Sequence, residues 1–244
     1  MHDEGLSAAQ IARVLGISRV AVGHHLHEEG RSGKQYGYVK EITPWQEAVL
    51  IGTMMGDARL CRGADHHNAQ LKLGHSTKQL AYMLWKKEQL SSFFMDEVEP
   101  YVRTTKEGYE TCEIRSRSHP ILTSYLELFY PEGEKRVSRP LLQRIEDHDH
   151  FAVIMALWYM DDGHLAQDSA SIVVGNMDDS QYEMLFTWFD DQGWKGTPRK
   201  QRSNCWTYFI TSSASLRFAE VIAPYIHPSM LYKLPSAKQR RKIE

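Results

Sequence analysis

The first hydrophobic rhythm of the chain is helical. Ile11, Ala12 and Leu15 share one face of a short segment, Gly16 allows a sharp turn, Ile17 enters a core, and Val22 and Leu26 continue the stripe. Ser7 and Ser18 stand where hydroxyls cap helix starts. Residues 1–30 are therefore expected to form a small all-α unit, two helices about a glycine turn. Residues 31–40 follow as a glycine-rich basic linker.

From residue 41 the pattern becomes almost uniformly apolar. Thr43, Pro44 and Gln46 predict a capping box before a helix through Ala48 to Gly56, which closes at Asp57. A second such helix, capped by Asp147 or Asp149, runs from Phe151 to Met160 and ends at Asp161, Asp162 and Gly163. Helices this apolar are buried on most sides. Small residues at spacing four, Gly52 and Gly56 in one and Ala152 and Ala156 in the other, predict the face where the two backbones meet.

Each apolar helix is followed by the same order of shorter segments. Strand-like runs (ARLCRG with NAQLKLGHS, then PYVRTTK with YETCEIRSRS) alternate with the helical TKQLAYMLWKKEQL and HPILTSYLELF. The second copy runs GHLAQ, ASIVVGN, SQYEMLFTWFDD, KGTPRKQ, CWTYFITSS and LRFAEVIAPYI. Short loops imply antiparallel pairing. The expected fold is α+β: tandem αββαββα repeats over 41–148 and 149–244, forming a pseudo-twofold saddle of two four-stranded sheets, with a basic tail.

Composition changes this picture in one respect. The 244 residues are 42% hydrophobic and 25% charged, enough for a sizeable core, and the net charge of −2 alone argues against a nucleic-acid partner. Its distribution argues the other way. Residues 151–194 hold eight acidic residues and no Lys or Arg, whereas 195–244 hold ten basic and two acidic. Cys61, Cys112 and Cys205 lack CxxC spacing, which excludes a disulfide framework and points to a reducing compartment. No apolar run approaches the ~20 residues of a membrane span. A soluble, cytoplasmic protein of prokaryotic or phage-like setting is expected, with an organelle left open and no membrane partner.

Leu50 to Ala58 (LIGTMMGDA) and Met155 to Gly163 (MALWYMDDG) are two copies of one pattern. They resemble the motif of the LAGLIDADG homing endonucleases, the second copy that of the W-Y-M-D-D-G branch, over residues 41 to about 235. The resemblance implies a site-specific double-strand DNA endonuclease that hydrolyses phosphodiester bonds at a long pseudo-palindromic site. It implies a monomer acting as a pseudo-dimer with no obligate protein partner. It makes Asp57 and Asp162 the metal-binding carboxylates, for Mg²⁺ with Mn²⁺ as a substitute. His75 and Asn176, aligned through Gly74 and Gly175, would position water. Arg115 and Lys233 would polarise the scissile phosphate, with Thr211 as the second-half match of Arg115. Ala58 departs from the motif's last glycine, and Leu157 and Asp161 replace its small residues, which is why the helix contact is expected at Ala152 and Ala156.

Elementary electrostatics agrees. Two helices ending at one spot bring together two carboxylates and two negative helix termini, a charge that hard divalent ions with oxygen ligands neutralise. The free sheet faces suit the major groove. Candidate contacts are Arg59, Gln70, Lys72, Arg103, Arg115 and Arg117 in the first half, and Ser171, Arg199, Gln201 and Thr211 in the second. The amino-terminal unit resembles a DNA-binding helix-turn-helix through Ala12, Leu15, Gly16, Ile17 and Ser18, so that Ser18, Arg19, Gly23, His24 and His27 would face DNA. Two rival readings share the fold: a non-catalytic DNA-binding regulator and an RNA splicing maturase.

Overall fold

The computed structural model describes residues 8–18, 20–22, 25, 39–63, 67–95, 97–166, 169–201 and 205–235. The chain divides into two compact units, 1–41 and 42–244. In the first, α1 (Ala8–Leu15) ends at Gly16, whose φ of +66° turns the chain. The Ser18 hydroxyl then accepts from the Ala21 N–H at 3.0 Å. Ile11, Ala12 and Val22 pack together. Ile17, expected inside, is 48% exposed: its N–H bonds back to the Ala12 carbonyl and leaves the side chain outside. Arg19, Gly23, His24 and His27 lie outside the described residues.

The larger unit is two αββαββα halves. The first contains α2 (Pro44–Met55), β1 (Arg59–Cys61), β2 (Gln70–Ser76), α3 (Leu80–Gln89), β3 (Tyr101–Thr104), β4 (Glu110–Arg115) and α4 (Pro120–Phe129). Then comes α5 (Arg139–Glu146), which joins the halves and which the sequence reading did not anticipate; Ser138 caps it and Leu141, Leu142 and Ile145 bury its inner face. The second half contains α6 (Phe151–Asp162), β5 (Gly163–Ala166), β6 (Ser169–Asn176), α7 (Asp179–Asp191), β7 (Gly196–Lys200), β8 (Cys205–Ile210) and α8 (Ser212–Ile222). The two sheets are antiparallel and ordered β1-β2-β4-β3 and β5-β6-β8-β7. Alternate residues Leu71 and Leu73, with Cys112 and Ile114, face the core. Among the described residues no helix is long and apolar enough to cross a membrane.

Helices α2 and α6 form the centre. The capping box is present: the Thr43 hydroxyl accepts from the Gln46 N–H, and the Gln46 side chain accepts from the Thr43 N–H, both at 3.1 Å. The second helix differs from expectation, because Asp147 closes α5 and His150 precedes α6 without a side-chain cap. Trp45 lies 5.5 Å from the His150 ring at one end, and Gly56 meets Asp161 at the other, so the two helices run parallel. A Cβ at Gly52 would lie 2.7 Å from the Ile154 carbonyl and 2.8 Å from the Leu157 Cβ; one at Gly56 would collide with the Asp161 side chain. The glycines thus approach Ile154, Leu157 and Asp161, where Ala152 and Ala156 had been expected. Ala156 is buried in the core, and Ala152 is half-buried.

Candidate metal and nucleic-acid site

Parallel packing places the carboxyl ends of α2 and α6 side by side, with their macrodipoles aligned negative end to negative end. Asp57 and Asp162 both stand there. Burial, followed by repulsion from Asp161, raises the Asp57 carboxyl above its ordinary range. Burial, then Asp57 and Asp161, push Asp162 up to about 7. The cluster is thus one of poorly solvated, mutually repelling carboxylates. Its oxygen donors and their mutual repulsion fit a hard divalent ion at Asp57 and Asp162.

Asp161 completes the cluster and is already paired. Its carboxylate is fully buried, accepts from Lys86 Nζ at 2.6 and 2.7 Å, and accepts the Asp57 backbone N–H at 3.2 Å. His75 lies between, with Nε2 3.2 Å from Lys86 Nζ and Nδ1 3.5 Å from Asp57 Oδ2. Burial, then Lys86, depress His75 to about 4, so its ring is neutral at physiological pH. Asn176 stands at the end of β6 opposite Cys205.

Two lysines close the helix ends symmetrically. Lys135 donates to the carbonyls of Gly56 at 2.7 Å and Ala58 at 3.2 Å. Lys233 donates to those of Met160 at 2.6 Å and Asp161 at 3.1 Å. Desolvation lowers both below the ordinary lysine range. Lys233 was anticipated; Lys135 was not, although Tyr130-Pro131 before Lys135 and His227-Pro228 before Lys233 form a parallel that marks it. Lys86 had no such signal.

The strand ladders reassign the sheet residues. Arg59, Lys72 and Arg115 form one row across the first sheet, and Glu113 bridges Arg115 at 2.7 Å and Arg59 at 3.4 Å. The equivalent row in the second sheet is His164, Ser171 and Phe209. Arg115 therefore corresponds to Phe209; Thr211 lies past the strand, at the start of α8. Gly74 corresponds to Val173, because a bulge between Val173 and Gly175 displaces the glycine. Gln70 and Lys72 are half-buried on the first sheet's outer face, and Arg103 is exposed on β3. Arg117 falls beyond β4 and donates to the Ser92 carbonyl at 3.2 Å, off that face. Ser171 is buried and bonded to the His164 carbonyl; Gln201 bonds Thr207, and the Arg199 guanidinium lies 4.7 Å from the Phe209 ring centre.

A family model described as LAGLIDADG DNA endonuclease family matches residues 47–216. The chain belongs to that family. The homing endonuclease I-WcaI, solved bound to its DNA recognition sequence, has a similar LAGLIDADG fold, with a TM-score of 0.70 at 18% identity over 81% of this chain and 88% of that one. Proteins named RecA from Mycobacterium shimoidei and Mycolicibacterium flavescens are 28% and 25% identical over 210 residues, 79% of this chain and 47% of each relative. The chain spans about half the length of these curated relatives. Within the LAGLIDADG fold, Asp57 and Asp162 hold corresponding motif positions, and Gly56 corresponds to Asp161.

Proposed function

We propose that this LAGLIDADG protein is a site-specific, divalent-metal-dependent endonuclease that cuts both strands of a long, imperfectly palindromic DNA site. The observation that carries this reading is the pairing of Asp57 and Asp162 at adjoining helix ends, each end closed by a lysine. Asp57 and Asp162 would hold Mg²⁺, or Mn²⁺ in its place; when bound, the ion supplies Lewis-acid stabilisation and a water of lowered pKa for phosphodiester hydrolysis. Lys135 and Lys233 sit within reach of the same edge and offer positive charge to the scissile phosphates. His75 lines the buried side of Asp57.

Each motif aspartate serves one strand. Arg59, Gln70, Lys72, Arg103 and Arg115 face the first half-site, and Arg199 and Gln201 edge the second. The W-Y-M-D-D-G branch is the nearest sequence pattern, and the amino-terminal unit, with Ser18, Arg19, His24 and His27, extends the contacted site as a helix-turn-helix. The test is incubation with a plasmid library of randomised sites and Mg²⁺, sequencing linear products. Site-selective linearisation that needs the metal and both aspartates is the expected result. Binding without any cut by the wild type would overturn the catalytic reading.

A further inference from the structure

The carboxyl ends of the two central helices carry a further group of metal-type donors, which shares Asp57 with the proposed metal site and adds His75 and Asp161. One ligand atom from each of Asp57, His75 and Asp161 falls within 4.8 Å of the others. The space between His75 and Asp161 already holds a positive charge, however. Lys86 Nζ is 2.6 and 2.7 Å from the two Asp161 oxygens, 3.2 Å from His75 Nε2 and 4.4 Å from the centre of the Tyr82 ring. The Lys86 and Asp161 side chains are both 0% exposed. These partners are the ones a cation held between His75 and Asp161 would use.

We propose that Lys86 is a built-in cation: it keeps Asp161 as a structural counter-ion, bars divalent ions from Asp161 and His75 Nε2, and leaves Asp57 and Asp162 as the metal carboxylates. An ammonium has donors and no acceptor, so its hydrogen bond to Nε2 requires a lone pair there and puts the imidazole proton on Nδ1. That N–H faces Asp57 Oδ2 at 3.5 Å. Lys86 thereby fixes the tautomer of His75, whose Nδ1 stands beside Asp57 with no hydrogen bond of its own among the described residues. The device belongs to one centre: the residue corresponding to Asp161 in the first motif is Gly56, which has no side chain to hold. It also crosses the pseudo-dimer, since α3 supplies the lysine and α6 the aspartate.

The inference rests on the metal-dependent reading above, and the experiment separates the two. Full-length protein without DNA is titrated with Mn²⁺, and bound ion is counted from the electron paramagnetic resonance of free Mn²⁺. Lys86→Gln is expected to bind one Mn²⁺ more per chain than the wild type, and Lys86→Gln/Asp161→Asn to return to the wild-type count. A folded Lys86→Gln protein with the wild-type count overturns the inference and leaves the metal reading standing. A wild type that binds no Mn²⁺ overturns both. Removing one partner of a buried ion pair is strongly destabilising, so the wild type is also read directly. Its ¹⁵N spectrum should show His75 as the Nδ1–H tautomer, with Nε2 unmoved by saturating Mg²⁺; an Nε2 signal that shifts to a metal-bound position overturns the proposal.

Discussion

The first and second halves share one topology and differ in what surrounds their motif aspartates. Asp57 opens on a pocket of about 430 Å³ with polar walls that include Arg59, Lys72, His75 and Glu113. Asp162 opens on one of about 320 Å³ walled by Trp158, Val173, Val174 and Met177, with Lys135 at its edge. The row Arg59, Lys72 and Arg115 of the first sheet corresponds to His164, Ser171 and Phe209 in the second. The difference teaches where the fold is specified. Leu71 and Leu73 in one half, and Ala170 and Ile172 in the other, alternate inward and hold the same register. The positions on the other face differ between the halves, so one architecture presents two unlike aspartate environments and two unlike sheet faces.

The largest effect should come from the motif carboxylates. Asp57→Asn and Asp162→Asn are each expected to abolish cutting of a different strand, turning a double-strand cutter into two complementary nicking enzymes. Denaturing gels with either strand labelled check this; loss of both cuts in either variant would mean that the centres are not separable. The lysines come next. Lys135→Met and Lys233→Met should both slow cleavage and both destabilise the fold, Lys233→Met by about 1–3 kcal/mol and Lys135→Met by less, because the Lys233 ammonium is buried with the carbonyls it serves whereas the Lys135 side chain keeps contact with solvent. Lys233 is 8% exposed, whereas Lys135 is exposed. Urea melts of the two variants measure that contrast.

Smaller effects sharpen the comparison. Gly52→Val should cost about 1–3 kcal/mol through its clash with Ile154 and Leu157, read as a lower urea midpoint. In metal-free protein, the raised Asp162 pKa makes the native state bind more protons than the unfolded chain. That contribution to stability is full below about 4, the unfolded value, and is lost as pH rises through about 7. Melts across this window should show the loss, and Asp162→Asn or saturating Mg²⁺ should flatten it. Smallest is a change at the reading faces: Arg115→Phe, which copies the second half into the first, should reduce the salt slope of DNA binding by about 1. An unchanged slope would place Arg115 away from phosphate.

Legibility followed the range of the interaction. The capping box at Thr43 and Gln46, the Gly16 turn, the two apolar helices and the strand alternation depend on residues a few positions apart, and their spacing displayed them. The motif aspartates were legible because they close those helices. Where a neighbour competed, local reading failed: Asp147 was claimed by α5 and could not cap α6, and a single bulge at Val173 displaced the match between Gly74 and Gly175.

What the sequence by itself determined is the repeat: two apolar helices ending in aspartate, each followed by the same alternation, which suffices for the fold and for naming Asp57 and Asp162 as the candidate carboxylates. The tertiary structure decided which charges meet. Lys86 and Asp161 are 75 residues apart, and Lys135 and Gly56 are 79 apart. Nothing in the local pattern of Lys86 distinguishes it from a solvated lysine, and the Tyr130-Pro131 pair ahead of Lys135 does not say what that lysine meets. Only the parallel packing of α2 and α6, which gathers three carboxylates at one pair of helix ends, gives those lysines an electrostatic reason to be there.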